Sequence, residues 1–167
     1  EALAKSEERY ALAAQGANDG LWDWNIVTGE KYYSPRFKAL LGFKDSDISN
    51  KELQKLFPTL VDTADHQKMD VLIQNHLKHK TPYDFEYKIT LPSGELRYFR
   101  SRAQAIWDEK GKPLRMAGSL RDITRRRMAE DRLASSQKLL NDILQGSPVA
   151  TYVIDMNHKI IIWNKSM

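Results

Sequence analysis

The 167-residue chain has no cysteine at all. Disulfides, thiolate nucleophiles and cysteine-ligated metals are excluded with it, as are cofactors held by a cysteinyl adduct, and a reducing compartment is the easiest setting. Long apolar runs are missing too. None approaches the roughly 20 residues that cross a bilayer, and the first residues lack the apolar core of a signal peptide. The expectation is a cytoplasmic segment with no direct membrane insertion, any membrane tether lying elsewhere in the parent protein. No nucleophile elbow, no base spacing among Ser, Asp and His, and no phosphate-cradling glycine loop is found. No catalytic residue, and no enzyme activity, is therefore assigned to this segment. Nor does one sign of charge dominate. Lys and Arg number 26 against 22 Asp and Glu, a net charge of +4 with pI near 9.2. Because the acidic residues are interspersed along the chain, the surface reads as mixed and solvated, with no nucleic-acid partner.

What is present falls into two periods. Residues 1–16 carry Leu3, Glu7, Tyr10 and Ala14 at four-three-four spacing, as on one face of a longer helix. Gly16 and Asn18-Asp19-Gly20 stop it. Residues 21–27 alternate, with Trp22, Trp24 and Ile26 on one side. Thr28-Gly29 turns the chain into a partner strand at 31–34, and Ser34-Pro35 opens a short helix ended by Gly42. Residues 45–58 show a weak pattern, read as short helical turns. From Asp62, with Asp65 resembling its capping-box partner, a helix carries Met69, Leu72, Ile73, His76 and Leu77 on one stripe to about Lys80. After Thr81-Pro82, Tyr83, Phe85, Tyr87, Ile89 and Leu91 alternate with polar residues. Turns at Pro92-Ser93-Gly94 and at 108–112 separate that strand from two more, the last with Leu114, Met116, Gly118 and Leu120 inward. The order predicts an α+β domain.

The motifs in that order resemble the PAS sensory family with its C-terminal PAC half. They are Gly20-Leu21-Trp22-Asp23-Trp24-Asn25, Tyr33-Ser34 through Leu40-Leu41-Gly42, Phe85-Glu86-Tyr87, Ser93-Gly94-Glu95-Leu96-Arg97-Tyr98, Asp108 to Pro113, Gly118 and Asp122-Ile123-Thr124. The resemblance spans about residues 16–124. It implies a PAS fold: a five-stranded antiparallel sheet with helices on one face, flanked by N- and C-terminal signalling helices. Where the family often has a His-Pro-acidic turn this chain reads Val61-Asp62-Thr63-Ala64-Asp65, and Asn25 stands where Asp is common.

Inward phase and resemblance together nominate a ligand cavity of Trp22, Trp24, Tyr33, Phe37, Leu40, Phe85, Tyr87, Met116 and Leu120, each also readable as plain core. The ligand is unknown or none. His76, on the apolar stripe, reads as a satisfied core histidine more readily than as a haem ligand, and its pairing with His79 on a metal is equally disfavoured. Flavin photochemistry through a cysteinyl adduct is excluded by composition. Arg97, Arg100 and Arg102 read as outward partners of acids such as Glu86 or Glu95, with a carboxylate ligand as the alternative.

Beyond Thr124 a helix is expected over 125–146. Ala129, Leu133, Ser136, Leu140 and Ile143 form a thin seam that suits a parallel coiled-coil homodimer, or packing back on the domain. Arg125-Arg126-Arg127 stand at its start, with Asp122–Arg126, Arg126–Glu130 and Arg127–Asp131 as candidate pairs. After Gly146-Ser147-Pro148, residues 147–167 look like the truncated start of a second PAS domain, Trp163-Asn164 aligning with Tyr33-Ser34 and Asp155 with Asn25. Asp122, Ile123 and Thr124 are then the expected signal relay, Asp122 locking the strand end to the helix and Ile123 packing the junction. The resemblance implies a sensory module of a bacterial multidomain protein, a histidine kinase or a diguanylate cyclase, with its output domain further along the chain. A ligand-free dimerisation and spacing module is the other reading.

Overall fold

The computed structural model describes Gly16 and residues 18–164, so all of the expected first helix but Gly16 lies outside the described residues. The chain divides into two compact units, one ending at Thr124 and the other beginning at Arg125.

The first unit is an antiparallel sheet of five strands: β1 (Gly20–Asn25), β2 (Lys31–Tyr33), β3 (Tyr83–Thr90), β4 (Leu96–Trp107) and β5 (Pro113–Asp122), in the order β2-β1-β5-β4-β3. The last strand therefore inserts between the first hairpin and the meander. One cross-sheet row runs Tyr33, Trp22, Gly118, Ala103, Tyr83. At its centre only glycine fits: a Cβ on Gly118 would stand 2.4 Å from the Arg102 carbonyl oxygen and 2.8 Å from the Trp22 ring.

Against the inner face lie α1 (Pro35–Leu40), α2 (Asn50–Leu60) and α3 (Thr63–His79). Phe37, Leu53, Met69 and Leu77 bury there with Ile89, Phe99, Met116 and Leu120 from the strands. Ser34 caps α1, its hydroxyl accepting from the Phe37 amide at 3.2 Å. α2 corrects the expectation of short turns over 45–58, since only Asp45–Asp47 forms a 3-10 turn and an 11-residue helix follows. Ser49 and Glu52 make a reciprocal capping box, and the Ser49 hydroxyl holds the Glu52 carboxyl below its ordinary pKa. Pro58 lies inside α2 and removes the bond that an amide there would give to the Gln54 carbonyl.

Asp62 caps α3 through the Ala64 amide at 2.9 Å, but Asp65 is not its capping-box partner. Its carboxylate accepts instead from the Lys88 amide on the edge strand β3, at 3.1 Å. An unpaired edge amide is thereby covered. Leu114, expected inward, is exposed at the start of β5, while Met116 and Leu120 in the same phase are buried.

The second unit holds α4 (Thr124–Gly146) and a two-stranded hairpin, β6 (Tyr152–Ile154) and β7 (Ile160–Trp163). No residue of α4 is buried, and Leu133, Leu140 and Ile143 are each about 60% exposed. Arg126 meets Glu130 at 3.7 Å as the spacing predicts. The hairpin reproduces β1–β2 at an offset of 130 residues. Leu21 and Ser34 exchange backbone and side-chain bonds at 2.9 Å, and Thr151 and Asn164 do so at 3.0 Å. Asn25 and Asp155 each accept two turn amides on one side-chain oxygen. Among the described residues no helix is long and apolar enough to cross a membrane.

Candidate ligand cavity and strand–helix junction

A cavity of about 70 Å³ lies between the inner face of the sheet and the helices. β1 supplies Trp22 and Trp24, β2 Lys31 and Tyr33, β3 Tyr83 and Tyr87, and β4 Ser101; the helices close it with Phe37, Phe57, Met69 and Ile73. Of the nine residues nominated from the sequence, Trp22, Trp24, Tyr33, Phe37 and Tyr87 meet here. Leu40, Phe85, Met116 and Leu120 are not in its wall. Met116 and Leu120 are fully buried core, Phe85 stacks on Tyr87 at 5.6 Å, and Leu40 faces a separate polar groove with Asn18, Asp19, Arg36, Arg121 and Asp122. Lys31, Phe57, Met69, Ile73, Tyr83 and Ser101 are the wall residues that the sequence reading left out. Met69 and Ile73 stood on the apolar stripe of α3, and Tyr83 in the inward phase of β3. Those phases were the available signal.

The wall is rich in donors. Trp22 Nε1 donates to Ser101 Oγ at 3.3 Å. The Ser101 hydroxyl faces those of Tyr83 and Tyr87 closely enough to oppose the rise that burial imposes on their pKa. Burial pushes the Tyr33 and Tyr83 hydroxyls up to about 12 and Tyr87 well above its ordinary value, so all three remain neutral donors near neutrality. Lys31, the one charged residue of the wall, lies 5.1 Å from the centre of the Trp24 ring. Burial lowers its pKa, and the nearby Asp70 carboxylate partly restores it.

His76 is 1% exposed and engaged at both nitrogens: Nδ1 donates to the Thr81 carbonyl, and Nε2 accepts from the Ala105 amide at 2.9 Å. Trp107 adds a bond from Nε1 to the Leu77 carbonyl at 2.9 Å. His76 thus pins the end of α3 to β4 and has no nitrogen left for iron or for a metal shared with His79. The outward arginines are paired as well. Arg97 grips Glu95 with two bonds at 2.9 Å, Arg100 grips Asp84 and lies in the field of Glu86 as well, and Arg102 lies in the field of Asp84. Asp84 is held below the usual carboxylate range by the Arg100 guanidinium. Asp19, only 8% exposed, receives Arg121 at 2.8 and 2.9 Å, joining the start of the sheet to its last strand.

At the end of β5 the three junction residues are tied to β4. The Asp122 carboxylate accepts from the Thr124 amide at 2.8 Å and faces Arg97 at 3.5 Å. Ile123 is buried and donates its amide to the Tyr98 carbonyl at 2.9 Å. Thr124 Oγ1 accepts from the Tyr98 amide at 3.0 Å and donates to its carbonyl at 3.4 Å. A single residue of β4, Tyr98, thereby holds both residues that lead into α4.

A family model described as the PAS fold matches residues 30–120, more than half of the chain. The chain belongs to the PAS fold family. The PAS domain is similar to a solved sensory box histidine kinase/response regulator from Burkholderia thailandensis. The two are 38% identical with a TM-score of 0.69, over 79% of this chain and 97% of that one. Among curated proteins, a probable diguanylate cyclase of Escherichia coli, DgcE, is 24% identical over 94% of this chain, which spans 14% of its length. A blue-light-activated histidine kinase of Brucella ovis is 27% identical over 76% of this chain and 24% of its own. Pockets for cofactors and drug-sized ligands measure roughly 300–1,000 Å³, and this cavity measures about 70 Å³.

Proposed function

We propose that this chain is an input segment of a bacterial sensor histidine kinase, relaying a change in the cavity or at a dimer contact through Asp122-Ile123-Thr124 into α4. The observation that carries this reading is the junction, where both residues leading into the helix are bonded to Tyr98 and Asp122 caps the first helical amide. A movement of β4 at Tyr98 therefore acts directly on Ile123 and Thr124. The exposed Ala129, Leu133, Leu140 and Ile143 supply the face for a parallel homodimer, by which two such movements act on one output. Turnover belongs to the output domain, not to this segment. A kinase output is supported by the more identical of the relatives above, and a cyclase output by the relative that spans most of the chain.

The hairpin over 147–164 is read as the opening of a second PAS domain, on the strength of the 130-residue offset and its matching bonds. Its apolar residues, Ile161 and Trp163 among them, are exposed and await the rest of that domain. A ligand-free dimerisation and spacing module is the second reading, favoured by the small volume of the cavity. Replacing Asp122 with Ala in the full-length protein tests the relay. The output rate should become insensitive to input while the fold is kept; unchanged regulation would remove the proposal.

A further inference from the structure

The eleven residues of the cavity wall include no Asp, Glu, Asn, Gln or His. Its side-chain polar groups are one ammonium, two indole N–H groups and four hydroxyls, of which only the hydroxyl oxygens can accept. A ligand that satisfies such a wall brings acceptors and negative charge. The nearest opposing carboxylate is Asp70, which is 64% exposed, lies within 3.4 Å of His66 Nδ1, and is not in the wall. Size narrows the class. An engineered cavity of about 150 Å³ holds benzene, so a cavity of about 70 Å³ takes only ligands smaller than benzene's six heavy atoms. Phe37, Phe57, Met69 and Ile73 give the rest of the wall an apolar character that a bare inorganic anion leaves unused.

We propose that this cavity binds a short-chain carboxylate of about two or three carbons, its charge held by Lys31 and the hydroxyls of Tyr83, Tyr87 and Ser101, its alkyl end against the helices. Burial lowers the Lys31 pKa, and a carboxylate beside the ammonium acts in the opposite direction. The tyrosines need no ionisation change to donate. The inference rests on the sensor reading but is tested apart from it, because binding is measured on the 167-residue chain without any output.

Trp22 and Trp24 stand in the wall, so their fluorescence reports occupancy. Acetate and propionate are titrated at constant ionic strength, with nitrate and acetamide alongside. Saturable changes are expected for both carboxylates, with propionate tighter. Acetamide should bind at least tenfold more weakly, and so should nitrate. Lys31→Met should weaken propionate at least tenfold and leave acetamide unaffected. Tyr83→Phe should weaken propionate severalfold, and serves if Lys31→Met fails to fold. Equal binding of acetamide, nitrate binding tighter than propionate, or no saturable change with either carboxylate up to about 50 mM would each overturn the proposal. None of those outcomes bears on the effect of Asp122→Ala in the full-length protein.

Discussion

Replacing Gly118 with Ala adds one methyl group to the most crowded point of the sheet. The new Cβ would lie 2.4 Å from the Arg102 carbonyl oxygen, 2.7 Å from the Ala103 Cβ and 2.8 Å from the Trp22 ring. Two of those neighbours belong to the adjacent strand β4, so relief requires the β4–β5 ladder to spread or Trp22 to leave its place in the cavity wall. Overpacking of this kind costs about 1–3 kcal/mol, and a clash with a backbone oxygen belongs at the upper end. For a domain of about 100 residues, about 3 kcal/mol lowers Tm by roughly 12–24 °C. Gly94→Ala is the useful comparison. Nothing lies within 4 Å of its added Cβ, and its φ of +84° is the only obstacle. Left-handed backbone costs a β-carbon about 1–2 kcal/mol, hence a smaller drop. Calorimetry on both variants, with Trp fluorescence of Gly118→Ala, checks the argument. A Gly118→Ala protein that melts within about 2 °C of the parent would refute the reasoning about this close approach.

Further expectations concern the core, the alkaline limit and the helix. His76→Ala leaves the Ala105 amide and the Thr81 carbonyl without their side-chain partner and opens a void, at a cost of about 3 kcal/mol; urea unfolding measures it, and a loss below about 1 kcal/mol would contradict the pinning role. Stability should fall as pH rises from 10 to 12, because the folded chain keeps the Tyr33 and Tyr83 protons up to about 12 while the unfolded chain releases them near 10. Tyr83→Phe should flatten that fall in alkaline denaturant titrations by at most about 2.7 kcal/mol, and an unchanged slope would count against the burial of the hydroxyl. Leu140→Glu should shift the chain from dimer to monomer in sedimentation velocity, and a persistent dimer would place the contact elsewhere.

Much of this was legible in the sequence. The alternation of Tyr83 through Leu91 shows both the strand and its buried side, and Ser34-Pro35 marks the start of a helix. α2 was missed because the apolar pattern over 45–58 is weak, yet Ser49 and Glu52 are spaced as a capping box and could have announced it. Periodicity separates inward from outward but does not say which inward side chains border a void. Met116 and Leu120 share the phase of Gly118, yet they fill the core completely. Ser101 shares the phase of Phe99 but is polar, and its place beside Trp22 and Tyr83 follows only from the order β2-β1-β5-β4-β3, which local sequence does not encode. The contact of Asp122 with Arg97 depends on the pairing of β4 with β5, which local sequence does not show.

The absence of cysteine makes the relay itself measurable. A spin label on Leu133→Cys, at an exposed position of the α4 seam, reports one inter-helix distance per dimer. If the junction sets the geometry of the paired helices, adding Asp122→Ala removes the cap on Thr124 and the partner of Arg97, and the distance distribution by double electron–electron resonance should broaden or move. An identical distribution in the two proteins, or no inter-label distance at all, would contradict the account.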